Sequence, residues 1–238
     1  MDFYTKLPSV PLVGDKHEFV IQQCKGKRVL HLGCVDAGVL EEKWQAGILL
    51  HQRLATVATE LWGFDIDSAG IQFLQSKGIP HLVAGDGSRV EDLAPLQGII
   101  FDVIVAGEVV EHLLNPGLFL DAIKTLMTPG VSELIVTVPN AYGIDSLVAL
   151  LRGLEYVHPD HNYWFSYRTI TNLILKRDYQ IKTILAYSYQ LVPFFFRPKQ
   201  TSLLRYGLSL GKRLVTRILY RISPFFGDGI IVVASRKL

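Results

Sequence analysis

Three acidic residues each stand where an apolar run stops. Asp65 ends Leu61-Trp-Gly-Phe64, Asp86 lies between Gly85 and Gly87, and Glu108 follows the β-branched run that closes at Gly107. A carboxylate at the end of a buried strand can accept both hydroxyls of a ribose. Upstream, Val29-Leu-His-Leu32 stops at Gly33, and the small residues from Gly33 to Gly38 let the backbone turn tightly beside a ligand. These are the strand ends of an open sheet facing one nucleoside. A dinucleotide fits less well, because no glycines follow Gly33 at G-x-G-x-x-G spacing and no lysine-bearing phosphate loop occurs.

A second set combines acid and imidazole. Glu108, Glu111 and His112 form an E-x-x-E-H segment, which on one helical turn brings the three side chains together. Two carboxylates and an imidazole can hold a hard divalent ion. The competing reading, in which Glu108 lines the ligand pocket and Glu111 caps a helix, needs no metal and is preferred. His158 and His161 lie in the aromatic stretch from Tyr156 to Phe165. A neutral imidazole can remove a hydroxyl proton near pH 7, so His112 and His161 are the candidate bases, with polar scaffolding as the alternative. Trp164 and Phe165 read as core, as does His51 on an early helix.

These residues need a frame. Strands are expected at 28–32, ending at Asp65, at 81–84, 101–106 and 132–138, with helices over 41–59 and 69–77 between them; Ser68 is the expected cap of the latter. Alternation of this kind implies βαβ units and a doubly wound parallel sheet of α/β class. Residues 141–165 break the rhythm and read as a loop over the site. Ser166 caps a helix at 167–176, and closing strands follow at 179–190 and 229–235, separated by an insertion over 194–227.

The 238 residues, 49% of them apolar, suit one domain over 1–238. Cys24 and Cys34 supply neither a disulfide framework nor a metal cluster, which favours a reducing, cytoplasmic compartment. The net charge of +2 is divided unevenly, because nine Lys or Arg and one acid lie in 197–238, leaving roughly −6 on the rest. Within the insertion, Leu204, Leu208, Val215, Ile218, Leu219 and Ile222 make an apolar stripe, with Arg205, Lys212, Arg213, Arg217 and Arg221 largely elsewhere. Packing over the sheet is the preferred reading. The alternative, with Phe194-Phe-Phe196 and residues up to 222, is peripheral contact at the inner face of an anionic membrane. No nucleic-acid module is present, so no nucleic-acid partner is expected. Nothing fixes an oligomeric state.

The order of these blocks resembles the class I S-adenosylmethionine-dependent methyltransferases over roughly residues 25–190. The carriers are His31 to Gly38, Gly63-Phe-Asp65-Ile66, Ala84-Gly-Asp86-Gly87, Phe101 to Pro116 and Thr137-Val-Pro139-Asn140. The fourth block is similar to the ubiquinone-biosynthesis O-methyltransferases. Other wording, His-Leu-Gly-Cys-Val-Asp36 and Leu50-His51-Gln52, is similar to an uncharacterised group linked to surface-sugar biosynthesis. The resemblance implies a mostly parallel seven-stranded Rossmann-like sheet with an antiparallel last strand and a helical insertion before it. It implies S-adenosylmethionine as cofactor, held by Gly33, Asp36, Gly38, Asp65, Ile66, Asp86, Gly87 and Glu108, and a small-molecule or glycolipid acceptor methylated on oxygen. In the ubiquinone branch, the positions of Glu108, Glu111 and His112 resemble magnesium ligands. The chain departs from the pattern where Val35 and Ala37 replace glycines and His31 replaces an acid. A non-catalytic scaffold on a degenerate fold is the alternative those departures raise.

Overall fold

The computed structural model describes residues 3–189 and 215–237. Its strands are β1 (Leu12–Val13), β2 (Arg28–Leu32), β3 (Glu60–Asp65), β4 (Leu82–Ala84), β5 (Val103–Gly107), β6 (Glu133–Pro139), β7 (Tyr179–Tyr187) and β8 (Gly229–Arg236). They form one sheet in the order β1-β7-β8-β6-β5-β2-β3-β4, with β8 antiparallel to β6 and β7 and every other pair parallel. The seven expected strands and the antiparallel last one are in place. The eighth is β1, which pairs with Ala186 and Tyr187 at the sheet edge.

Both faces of the sheet are covered, which is why its strands read as continuous apolar runs. Ile104, Ala106, Leu134 and Val136 face a core shared with Phe119 and Ile123 of α5 (Pro116–Lys124) and Ile170 and Ile174 of α7 (Tyr167–Lys176). Val103, Val105 and Ile135, one residue out of phase, face Val20 and Ile21 of α1 (Lys16–Cys24) and Leu50 and Leu54 of α3 (Leu50–Leu54). The period of two assigns alternate residues to opposite layers.

Several local features differ from the sequence expectation. The helix expected over 41–59 is two helices, α2 (Leu40–Gln45) and α3, parted where Gly47 takes φ 69°. Helix α4 (Ser68–Ser76) is capped by Asp67, whose carboxylate accepts from Ala69 and Gly70 N–H, rather than by Ser68. Ser166 caps α7 as expected, in a reciprocal box with Thr169. The loop expected over 141–165 contains a helix, α6 (Ile144–Leu150).

Residues 215–222 are helical, with Thr216 and Tyr220 packed and Val215, Ile218 and Ile222 exposed beside Arg217 and Arg221. In this part Leu219, also of the apolar stripe, is half-buried, so the stripe is only partly covered. Phe194 to Phe196, Leu204, Arg205, Leu208, Lys212 and Arg213 lie outside the described residues.

The strand order reverses beside β2: the chain leaves it toward β3 and β4, then returns to β5 on its other side. A crevice beyond the carboxyl ends of the strands opens at such a switch point.

Candidate active site

Gly33 follows β2 directly and has φ 69°; a Cβ on it would fall 2.5 Å from Val109 Cγ2. The loops after β2 and β5 thus meet across the switch point so closely that a side chain on Gly33 would have to displace Val109. At the end of β3, Asp65 Oδ2 accepts from Val35 N–H at 2.7 Å and Oδ1 from Asp67 N–H at 3.0 Å. Each oxygen retains a second lone pair. Burial raises the Asp65 carboxyl above its ordinary range, opposed by those two N–H bonds. The next residue, Ile66, leaves 74% of its surface uncovered. A buried acid beside an uncovered apolar side chain suits a ribose carrying a flat base.

The rest of this half is ordered around the same crevice. Asp86 is half-buried and accepts from Ser88 N–H at 2.8 Å, and Gly87 lies against Phe119, where a Cβ would come within 2.8 Å. Asp36 is ion-paired with Lys43 at 2.8 Å, and Gly38, at φ 81°, is exposed. Val35 is buried and turned into α4, where a Cβ on Gly70 would lie 2.2 Å from Val35 Cγ1. Its β-branch therefore fills space under the loop instead of the crevice. His31 is no substitute for the acid of related loops: it is buried with its ring stacked on His51 and Nδ1 3.2 Å from Nδ1 of that residue. Burial lowers both imidazoles, His51 to about 4, so the pair is neutral core, as expected for His51. Together the residues of this half fit a nucleoside-bearing cofactor.

The other half is a cavity of about 560 Å³ whose lining includes Glu108, Asn140, His158, His161, Trp164 and Tyr187. Glu108 occupies the left-handed region at φ 56°, a conformation costing a non-glycine on the order of 1 kcal/mol. Lys16 Nζ lies 2.6 Å from its Oε2, and the Tyr187 hydroxyl donates to Oε1 at 2.6 Å. Burial alone would raise the Glu108 carboxyl, but Lys16 and Tyr187 outweigh it and hold the group below its ordinary range. Asn140 is spent on structure, its amide donating to the Phe225 and Gly227 carbonyls at 2.6 and 2.9 Å.

Glu111 behaves differently. It is fully buried, and neither carboxyl oxygen has a hydrogen-bond partner among the described residues. Burial, then the charge of Glu108, pushes it up to about 8, so it is mostly protonated at neutral pH. The E-x-x-E-H segment is a non-helical turn, and the expected convergence does not form: Glu108 meets Lys16, Glu111 is enclosed and His112 is exposed. A protonated acid and a carboxylate already neutralised by lysine do not fit a magnesium ion, which asks for free anionic oxygens.

The two candidate bases do come together. His112 and His161 stand edge to face with ring centroids 4.5 Å apart, and His158 is 5.2 Å from His161. Burial, followed by the charges of His112 and His158, lowers the pKa of His161 and keeps its ring neutral. Phe165 is core as expected, whereas Trp164 lines the cavity. Lys16 and Tyr187 were not found by sequence reasoning. For Lys16 a signal existed: a cation at the first position of a helix opposes the helix dipole and needs an anion elsewhere.

Comparison with known proteins bears on the family and the fold. A family described as a methyltransferase domain matches residues 12–184. The ubiquinone biosynthesis O-methyltransferase of Paraburkholderia phymatum is 29% identical over 134 residues, 56% of this chain and 52% of that protein. The protein of the same name from Azorhizobium caulinodans is 30% identical over 139 residues, 58% of this chain and 49% of that one. The chain thus spans about half the length of the curated relatives it matches. A solved SAM-dependent methyltransferase from Archaeoglobus fulgidus superposes with a TM-score of 0.53 at 19% identity, covering 93% of this chain and 95% of that one. The magnesium protoporphyrin IX methyltransferase of Synechocystis, solved with bound SAH, gives 0.53 at 14% identity, with 93% and 82% covered. Both likenesses show the fold.

Proposed function

Because this chain belongs to the methyltransferase-domain family that matches it over residues 12–184, we propose that it binds S-adenosylmethionine in the crevice between β2 and β5 and methylates an oxygen of a small-molecule, sugar or lipid-linked acceptor in the adjoining cavity. The observation that carries this reading is the meeting of the two spaces at the loop after β5. Gly33 closes on Val109 from the nucleoside side, and Glu108, one residue earlier, lines the cavity. The placement of Val35 under its loop supports a working crevice over a retired one.

When bound, the cofactor supplies a methyl group on a sulfonium that departs as a neutral thioether. The chain's own residues do the rest. Gly33 and Gly38 let the loop approach the donor, Asp65 accepts the ribose hydroxyls, Ile66 lies along the base, and Asp86, next to Gly87, accepts from its amino group. Asp36, which is paired with Lys43, would accept from the amino end of the donor. Glu108, fixed by Lys16 and by the Tyr187 hydroxyl, forms the wall where the donor crevice meets the acceptor cavity. His161, with His112 edge-on to it, takes the hydroxyl proton as the acceptor oxygen gains its methyl group. Positioning does much of the remaining work. No helix among the described residues is long and apolar enough to cross a membrane. The exposed Val215, Ile218 and Ile222 beside two arginines support peripheral contact with anionic lipid, from which a lipid-linked acceptor would be reached.

Calorimetric titration with S-adenosylmethionine and with its demethylated product tests the donor half. Saturable heat with both is expected, and no heat from folded protein would end the proposal. Transfer of labelled methyl into an extract of the source cells, with product mass determined, tests the acceptor; label in protein or nucleic acid would overturn the class chosen.

A further inference from the structure

The histidines that gather at the cavity mouth are more than a pair. His112 comes from the turn after β5, and His158 and His161 from the segment after α6; one ligand atom of each lies within 4.8 Å of those of the other two. Two backbone strips hold this arrangement together. The Asn162 side chain donates to His112 O at 2.7 Å, Asn162 and Tyr163 N–H to Glu111 O at 2.8 and 3.1 Å, and the Tyr163 hydroxyl to Leu114 O at 3.1 Å. The rings therefore face one another because the chain pins their backbones, although no hydrogen bond joins ring to ring among the described residues.

Each neutral imidazole offers one ring nitrogen with a lone pair that a metal ion can take. We infer that His112, His158 and His161 form a site for a divalent first-row transition ion of the zinc type, with an open coordination position toward the acceptor cavity. Imidazole selects zinc, cobalt, nickel or copper over magnesium, and three protein ligands with one open position is the arrangement of catalytic zinc. Zinc–nitrogen bonds near 2.0–2.1 Å place tetrahedral ligands about 3.3 Å apart, so the rings must close by roughly 1–1.5 Å. His112 and His158 are exposed and have room to do so. His158 Nδ1 accepts from Asp160 N–H at 3.3 Å and lies 3.8 Å from the Asp160 carboxylate; with the ion on Nε2, Nδ1 would carry the proton and that carboxylate would become its acceptor. His158 and His161 both line the cavity, so the open position faces the acceptor's hydroxyl. There the ion would lower the hydroxyl pKa and relieve His161 of acting as a free base.

The role of the ion rests on the methyl-transfer reading, but its binding does not, and binding is what the test measures. Full-length protein stripped with chelator is titrated with cobalt(II), without donor or acceptor, and followed by visible absorption. One equivalent should give ligand-field bands that zinc displaces and a large excess of magnesium leaves intact. His158→Ala and His161→Ala should each weaken binding more than about tenfold, which is 1.4 kcal/mol. His158→Gln provides a second variant at an exposed position, and circular dichroism checks that each variant is folded. Absence of the bands, or binding unchanged in the histidine variants, overturns the site. Donor titration of the same metal-free protein reports separately on the methyltransferase reading, so the two can fail independently.

Discussion

Val35 Cγ1 fills the place that a Cβ on Gly70 would need, 2.2 Å away, so the loop after β2 and helix α4 are cut to each other. Gly70→Ala should destabilise the protein by about 1–3 kcal/mol through overpacking, although alanine would otherwise favour a helix by about 1 kcal/mol. In a Val35→Ala background the same change should become neutral or stabilising. Urea unfolding of the four proteins measures the coupling, and additivity within about 0.5 kcal/mol would show that the two residues are independent.

Asp65 is expected to dominate donor affinity. Asp65→Ala removes both the ribose acceptor and the anchor for Val35 N–H, and should weaken S-adenosylmethionine by more than about tenfold in calorimetry. His161→Ala, on the acceptor side, should change that affinity by less than about twofold. Equal effects would mean that the crevice is wrongly placed.

Glu111 should make stability depend on pH. Its folded pKa, about 8, lies above the unfolded value of 4.5, so its protonated form stabilises the fold fully below pH 4.5. That contribution is lost as pH rises toward 8, because the unfolded chain gives up the proton first. Glu111→Gln keeps a neutral side chain at every pH. The wild type should therefore lose stability relative to this variant by up to roughly 3–5 kcal/mol between pH 4.5 and 8 in chemical denaturation. A difference independent of pH would mean that the carboxyl is ionised in the folded protein.

Lys16 should be needed by Glu108 more than by the helix that carries it. Lys16→Met leaves a carboxylate facing a desolvated wall and should cost about 1–3 kcal/mol, less than a fully buried pair because Glu108 keeps a third of its side chain exposed. The double change with Glu108→Gln should recover part of the loss. Thermal unfolding of the single and double variants checks this, and a double variant no more stable than Lys16→Met would assign the loss to the contact of the Lys16 ammonium with the Tyr187 and Tyr189 rings.

What could be read in advance followed from local rules. Asp65, Asp86 and Glu108 were visible because each interrupts an apolar run, and a strand's neighbours in a parallel sheet share one carboxyl edge. Ser166 was visible because a capping residue acts on its own next turn. The spacing of Glu108, Glu111 and His112 misled, because helical proximity presupposes helical backbone and Glu108 starts the segment at positive φ. Tyr187 and Lys16 reach Glu108 from opposite ends of the chain, and His158 meets His112 only through the bonds made by Asn162 and Tyr163. No pattern within either segment records those encounters.

The order in which the chain visits its crevice has a consequence for how such a protein can diversify. The nucleoside side is built from residues 33–87, whereas the cavity is lined from residue 108 onward. On the function proposed above, a single crossover between these blocks would pass the donor side on intact while exchanging the acceptor side. Gly33 against Val109 and Gly87 against Phe119 join the two blocks, and Lys16 reaches forward to Glu108 from outside both. A graft of 141–165 from a relative that kept this lysine and its partner would redirect the chemistry to a new recipient without disturbing the source of the methyl group.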